Sequence, residues 1–399
     1  MRAYKVELDP NNKQRTLFRQ YAGTARWAYN YGLRRKIESY ELNGKSITLF
    51  DLGHEITLLR RSTESWLCDV SSWVPRGAIR NLENAYKNFY RRCKSSSRMK
   101  GFPKFKSKKN GIGSFNLCDV KTITHSAIIL PRIGRVRLKE HGYVPCEEVV
   151  KSVTISERAG HWFAAVLTDE DPPLREHGNN VTGIDVGISK LAVLSDGTEF
   201  ENPRALEKAQ TKLRILYKSA SRKQKGSNNR KKAASRLARK HYQVACIRKD
   251  AIHKATTAII KRSSLIAIET LNVHGMMKNH HTARAVADTA MSEFLRQIEY
   301  KANWSGINVV KADMFFPSSK MCSRCGNVKP RLSLSTKLFR CFCGLELDRD
   351  LNAAINLKNL AVSSTATACC PGGSGQTSSL VKPLVGQEPN SSESVGIGA

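Results

Sequence analysis

The run CFCGLELDRDLNAAIN, residues 341–356, sets two kinds of metal chemistry side by side. Cys341 and Cys343 offer thiolates to a soft, tetrahedral ion such as zinc. Asp348 and Asp350 offer hard carboxylate oxygens suited to magnesium or manganese. The small and apolar residues that follow, from Asn352 to Asn356, read as the start of a helix. A carboxylate displayed there, beside a structural zinc knot, reads as a held metal ligand rather than a random surface acid. Its partners have to come from elsewhere in the chain.

Upstream, Cys322-Ser323-Arg324-Cys325-Gly326 is a knuckle whose glycine lets backbone amides approach the sulfurs. With Cys341 and Cys343 it supplies four thiolates, which implies a structural zinc with no open coordination position. The second pair is one residue shorter than the usual C-x-x-C. Side chains two apart on a strand share a face but stand well separated, so a turn at Gly344 has to bring the thiolates together. The plainer alternative is a set of reduced, buried cysteines. The remaining cysteines (Cys68, Cys93, Cys118, Cys146, Cys246, Cys369 and Cys370) are scattered, which argues for a reducing compartment rather than a disulfide framework.

Two acids end apolar runs: Asp185 in Val181-Thr182-Gly183-Ile184-Asp185, and Glu269 in Leu265-Ile266-Ala267-Ile268-Glu269. A charge in such a place costs several kcal/mol unless it is paired or binds a metal. Asp185, Glu269 and Asp350 are therefore the candidate catalytic acids. Three converging carboxylates can hold two Mg²⁺ or Mn²⁺ ions about 4 Å apart, one activating a water and the other stabilising a leaving 3′-oxygen in phosphodiester hydrolysis. Any one of these acids alone reads equally well as a structural ion pair or cap. Asp348 reads better as a helix cap, or as a hydrogen-bond partner of a ligand.

Composition points to the partner. Lys and Arg number 66 against 34 Asp and Glu, a formal net charge of +32, and this argues for a polyanion. A membrane surface fits less well: there is no apolar run of about eighteen residues, no aromatic-edged amphipathic anchor and no secretory leader. Nucleic acid in a cytoplasmic setting is the expectation. Between residues 204 and 262, nineteen Lys and Arg face only Glu207 and Asp250 as acids. A merely solvated helix face normally mixes signs, so this bias favours phosphate contact. Lys100-Gly101-Phe102-Pro103-Lys104-Phe105-Lys106 interleaves cations with aromatics, as phosphate contact plus base stacking would require; the alternative is a solvated loop with its aromatics tucked inward.

Periodicity predicts a strand at 3–8, then helices from Lys13 to about Leu42, from about Leu49 to Arg61, and after Pro75. The last carries Arg76 and Arg80 on its basic face. Short strands follow at 127–130, 136–138, 149–155 and 162–167, with a hairpin tip at Arg158 to His161. Because the first strand needs a sheet partner, a β-barrel with a helical insertion is expected. Strands are then expected at 181–188, 191–195, 198–200, 265–269 and 307–310. A basic helical hairpin should turn near Gly226, and one more helix should run from about Thr289 to Trp304. Beyond about Leu360 the composition shifts to Ser, Thr, Gly and Pro, as in disordered tails.

With these residues in view, the chain resembles the TnpB family of transposon-encoded, RNA-guided DNA endonucleases, relatives of the type V CRISPR effectors. The likeness covers about residues 3–360. It is carried by GIDVGISKLAVLSDG (183–197), IAIETL (266–271), FPSSKMCSRCG (316–326) and DRDLNAAINL (348–357), with weaker support from the early helices and GFPKFK (101–106).

The resemblance implies a multidomain α+β and α/β architecture: a wedge β-barrel (1–11 and 106–178) with an inserted helical recognition lobe (12–105). After it would come a RuvC-like nuclease domain of RNase H fold (179–315 and 348–360), a zinc ribbon (316–347) and a disordered tail (361–399). It also implies a guide RNA derived from the transposon end, double-stranded target DNA, one protein chain per guide RNA and no membrane. Arg76, Arg80, Lys100, Phe102, Lys104 and Lys106 are candidate nucleic-acid contacts, Arg76 for a base of the motif beside the target. Two other readings are a nuclease-silent RNA-guided regulator, expected to have lost acids that are all kept here, and a transposase performing strand transfer.

Overall fold

The computed structural model describes residues 1–95, 100–118, 120, 122–169, 177–333 and 336–368. The chain opens with β1 (Arg2–Asp9), which alternates buried Tyr4, Val6 and Leu8 with outward-facing polar residues. Asn11 and Gln14 form a capping box that starts α1 (Asn12–Asn43), and Gly44, at φ 63, ends it. A Thr48 cap starts α2 (Leu49–Arg61). In α3 (Trp73–Lys94), Pro75 sits in the first turn, where its missing N–H would have had no helical partner.

Six strands follow: β2 (Ser114–Leu117), β3 (Thr122–Thr124), β4 (Ala127–Leu130), β5 (Gly134–Leu138), β6 (Val150–Arg158) and β7 (His161–Thr168). With β1 they form a seven-stranded sheet in the order β2-β6-β7-β1-β5-β4-β3, antiparallel throughout. The strand at the N-terminus finds its partners on both sides, Leu8 lying opposite Trp162 and Leu138. The helices that interrupt this sheet in sequence pack on it. Phe18 of α1 lies 4.9 Å from the Trp162 ring and Tyr21 lies 5.1 Å from Phe115, centroid to centroid. Val6, Phe18, Leu82 and Ile155 belong to one continuous core, so the helical segment and the sheet share a hydrophobic interior.

The second half begins with β8 (Asn180–Asp185), β9 (Lys190–Leu194) and β10 (Glu199–Glu201). The hairpin of α4 (Ala205–Ser221) and α5 (Asn228–Arg262) leads into β11 (Ser263–Glu269). Then come the single turn α6 (Val273–Met276), α7 (Ala283–Thr289), α8 (Met291–Trp304) and β12 (Asn308–Ala312). One helix over about 289–304 was the expectation; Ala290, at φ 54, breaks the run and starts α8 on a new axis. A two-stranded ribbon, β13 (Leu338–Arg340) and β14 (Glu346–Asp348), precedes α9 (Arg349–Ala368). That helix runs past Leu360, where the compositional shift suggested ordered chain ends, and residues beyond Ala368 lie outside the described set.

The second sheet has the order β10-β9-β8-β11-β12, with β8, β10, β11 and β12 running one way and β9 antiparallel to both its neighbours. Strand β11 is apolar at every position from 265 to 268 because both its faces are covered. Ile266 and Ile268 meet Ile252 and Ile259 of α5 and Phe294 and Ile298 of α8, while Leu265 and Ala267 meet Leu357 and Ala361 of α9. The chain is thus a multidomain α+β protein. Among the described residues no helix is long and apolar enough to cross a membrane.

Helix α9 lies unusually close to β8 at Gly183, where an added Cβ would collide with the backbone of Ala354 and Lys358. Neither side can retreat, since both belong to regular elements. G183A is therefore expected to cost about 1–3 kcal/mol through overpacking, read as a lowered midpoint in urea or thermal unfolding.

Candidate functional site

Asp185 is the last residue of β8 and Glu269 the last of β11. The parallel register pairs Gly183 with Ala267 and Ile184 with Ile268, so the two acids end neighbouring strands side by side. They project from the carboxyl ends of the parallel strands, where the strand order changes direction and open α/β sheets place their ligands. Asp350 arrives in the first turn of α9, brought to the same edge by the close packing at Gly183. All three acids line one open cleft of about 1140 Å³, together with His280, His281, Arg284, Lys320 and Arg349.

The electrostatics of the cleft are those of crowded acids. Burial, followed by the negative charges of Glu269 and Asp350, holds the Asp185 carboxyl well above the usual carboxylate range, with Arg349 opposing. Burial also raises Glu269, partly offset by a hydrogen bond from the Ser318 hydroxyl to its Oε1. Arg349 donates to the Asp350 Oδ1 from Nη2 at 3.0 Å and from Nε at 3.2 Å. Asp348 caps α9, its Oδ1 accepting from the amides of Asp350 and Leu351 at 2.9 and 3.2 Å. It thereby takes the structural role expected of it. Part-exposed hard oxygens that repel one another suit divalent cations.

The four cysteines meet. Their sulfurs all lie within 4.8 Å of one another, with Cys322–Cys343 at 3.6 Å and Cys325–Cys341 at 3.5 Å. A tetrahedral zinc with Zn–S bonds of about 2.3 Å needs sulfurs about 3.8 Å apart, so the set fits a structural zinc. The short second pair works because the chain turns between its cysteines: the Gly344 amide donates to the Cys341 carbonyl, with Gly344 at φ 82. Burial raises the Cys322 thiol, but the amides of Cys325 and Arg324 and the neighbouring thiols outweigh it and bring the group to about 6. Among the described residues this is the one group of three or more such ligands already close enough to hold an ion, the three acids being set more openly around their cleft.

The remaining candidates are dispersed. Arg76 and Arg80 stand exposed on α3, Arg76 over the Trp73 ring at 5.6 Å. Phe102 packs edge-on against Tyr86 and Phe89 at 5.7 and 5.3 Å. Lys100 donates to the carbonyls of Arg92, Cys93 and Ser95 at the end of α3. Lys106 lies 3.9 Å from the Tyr29 ring centroid, its backbone clasped by the Asn30 amide. Phe102 and Phe105 nevertheless stay 47% and 57% exposed, and Lys104 is exposed beside them, so the loop does not tuck its aromatics inward.

Sequence reasoning missed Ser318, Arg349 and the two cleft histidines. The histidines lie in a polar loop that looked like a connector. Ser318 lies in a motif noticed for its cysteines, and nothing in the spacing reveals that it reaches Glu269.

Comparison with known proteins follows the same lines. Residues 164–280 match a family described as "Probable transposase", and residues 292–357 match "Cas12f1-like, TNB domain". Residues 1–45 match a "Helix-turn-helix domain", although here they form one strand and one unbroken helix. A Streptomyces pristinaespiralis protein named "Putative RNA-guided DNA endonuclease" is 31% identical over 93% of this chain and 91% of its own. The "Putative RNA-guided DNA endonuclease InsQ" of Escherichia coli (strain K12) is 33% identical over 92% of this chain and 94% of its own. The chain belongs to the TnpB family. In fold it is similar to the protein in a "Cas12f1-sgRNA-target DNA complex", with a TM-score of 0.53, 15% identity, and coverage of 88% of this chain and 83% of that one.

Two outcomes are expected. Between the ordinary carboxylate range and their raised native values, Asp185 and Glu269 keep protons that the unfolded chain has released. Metal-free protein should therefore lose stability as pH rises through that window, and Mg²⁺ or Mn²⁺ should restore it most at the high-pH end. D185N should stabilise the metal-free protein by about 0.5–2 kcal/mol and abolish the cation effect; melting curves across pH measure both. Separately, metal analysis should find one zinc per chain, lost in C322S and C325S.

Proposed function

We propose that this chain is an RNA-guided, divalent-metal-dependent DNA endonuclease of an insertion sequence, cutting target DNA beside a short adjacent motif. The observation that carries this reading is the meeting of Asp185, Glu269 and Asp350 on one cleft, within a chain of net charge +32. The named activities of the two bacterial relatives, which align along more than nine-tenths of their length, support it.

The second sheet, with four strands running one way, β9 alone reversed and helices on both faces, supports an RNase H fold of RuvC type for residues 179–315 and 348–360. The sequence 316–347 is then a zinc ribbon inserted ahead of α9. For the N-terminal half a wedge barrel is favoured by chain length. Strands β2 and β3 are at opposite ends of the seven-strand order, yet Leu117 and Thr122 are five Cα steps apart. Such a link reaches at most roughly 18 Å, whereas a flat sheet of this size is roughly 29 Å wide, so the sheet has to curl. Residues 12–105 would then form the recognition lobe seated on it.

When bound, Mg²⁺ or Mn²⁺ would activate a water and neutralise the leaving 3′-oxygen. The chain's part is to hold and orient. Asp185 feels the charges of both other acids, Ser318 holds one oxygen of Glu269, and Arg349 pairs with Asp350. Lys320, Arg284, His280 and His281 supply cationic or hydrogen-bonding contacts along the cleft for a phosphate strand. Guide pairing would supply sequence specificity, with the protein reading the adjacent motif. Arg76 and Arg80 are its nearest candidates for that contact. We further propose one chain per guide RNA, acting at the nucleoid in the cytoplasm.

The test is cleavage of matched and mismatched duplexes by the ribonucleoprotein carrying its co-purifying RNA, with Mg²⁺. D185A and E269A should lose more than the roughly 10–100-fold caused by disturbing a ligand's outer partner, while still binding the matched target. Full cutting by either variant, or a parent that binds and never cuts, would sink the proposal. The second outcome favours the silent regulator, and joined transposon ends would favour a transposase.

A further inference from the structure

Two asparagines of the DRDLNAAIN run take no part in the chemistry described so far. Asn352 and Asn356, one turn apart on α9, are 0% and 1% exposed. Both donate to the Met321 carbonyl at 2.7 Å, and Asn356 donates also to the Ser318 carbonyl at 2.7 Å. The Asn352 Oδ1 accepts from the Ser323 amide at 3.0 Å. Buried amides of this kind are kept where every donor and acceptor is used, and these use theirs on one tight loop, residues 318–323. That loop has two ends with different duties. At one, Cys322 faces the other three thiols; at the other, Ser318 donates to Glu269.

Resting on the metal-site reading above, we infer that Ser318 is a positioning residue for Glu269, and that the Asn352–Asn356 clamp makes its position depend on the zinc-binding loop. The Ser318 hydroxyl occupies one carboxylate oxygen and so fixes the direction in which the other faces the cleft. Ser318 is itself buried, and its place is set by Asn356 from behind. Loosening the cysteine loop therefore loosens the hydroxyl. The structural metal and the catalytic cations become linked through one hydrogen bond, although no ligand is shared.

The experiment measures Mn²⁺ affinity of the full chain by titration calorimetry, zinc content by metal analysis, and the Mg²⁺ concentration giving half-maximal cleavage. S318A should keep its zinc but weaken Mn²⁺ about 10-fold, the typical cost of losing an outer partner of a ligand, with a matching rise in half-saturating Mg²⁺. Its cutting rate at saturating Mg²⁺ should change much less. N356A should give a shift of the same size, and S318A/N356A no more than either alone, because both act through the same bond. In protein stripped of zinc, or in C343S, Mn²⁺ should bind as weakly as in S318A, and adding S318A should change nothing further.

Parental Mn²⁺ affinity in S318A overturns the inference, and so do S318A and N356A shifts that multiply. A lowered melting temperature with unchanged Mn²⁺ affinity assigns these residues a structural role alone and overturns it equally. If D185A binds Mn²⁺ as the parent does, what falls is the metal-site reading beneath it.

Discussion

Three carboxylates gathered at one edge of a sheet repel each other, and the rest of the second half of the chain resists that repulsion. The parallel pairing of β8 with β11 fixes Asp185 beside Glu269 to within a strand spacing. Helix α9 adds Asp350 because Gly183 lets its backbone settle almost onto the strand. Apolar packing on both faces, from α5 and α8 on one side and α9 on the other, prevents the edge from opening. What cannot be relieved by movement is relieved by protonation, by Arg349, or by cations. A fold that spends stability on holding like charges together is expected where those charges have work to do.

Helix α9 joins the two metal chemistries and keeps them apart. Its first turn carries the carboxylate of Asp350, a hard ligand on the proposed function, and is capped by Asp348. The next two turns carry the asparagines that grip the thiol loop. Sulfur and oxygen donors sort the ions by softness, so the sites can lie close together without competing for one metal. The short Cys341–Cys343 pair fits this economy, since the ribbon turn at Gly344 folds back before β14 delivers the chain to α9.

Much of this was legible in the sequence, where a local rule and the tertiary packing agree. The strands carrying Asp185 and Glu269 were evident because an acid ending an apolar run is conspicuous, and α1, α2 and the α4–α5 hairpin because their helical periodicity is strong. Three things were not legible. The break at Ala290 carries no glycine or proline to signal it. The shared core of α1 with the seven-stranded sheet depends on rings far apart in sequence, Phe18 with Phe115 and Trp162. The Ser318–Glu269 bond joins residues 49 positions apart and leaves no periodic trace. The i, i+4 pair Asn352 and Asn356 did leave one: two amides in an otherwise small, apolar run belong on a buried face only if something polar meets them.

The charge distribution adds a constraint on how cation and polyanion arrive. The nineteen cationic residues between 204 and 262 lie on the α4–α5 hairpin, whose base is pinned beside the acids. Asp288, itself in the cleft lining, accepts from the amides of Leu206 and Glu207 at 2.9–3.1 Å, and Asn202 ties Ile188 to Thr289. A phosphate strand held by this hairpin is thus referenced to the acids by rigid contacts. Without cations those acids would repel it. With cations, phosphate oxygens and carboxylates become ligands of the same ions. On the proposed function, then, nucleic acid tightens the binding of the divalent ions and the ions tighten the binding of nucleic acid by the same factor, as reciprocity of linked equilibria requires. A basic surface alone would hold nucleic acid anywhere along its length; on the proposed function the acid cleft selects the place where a strand and two cations are compatible.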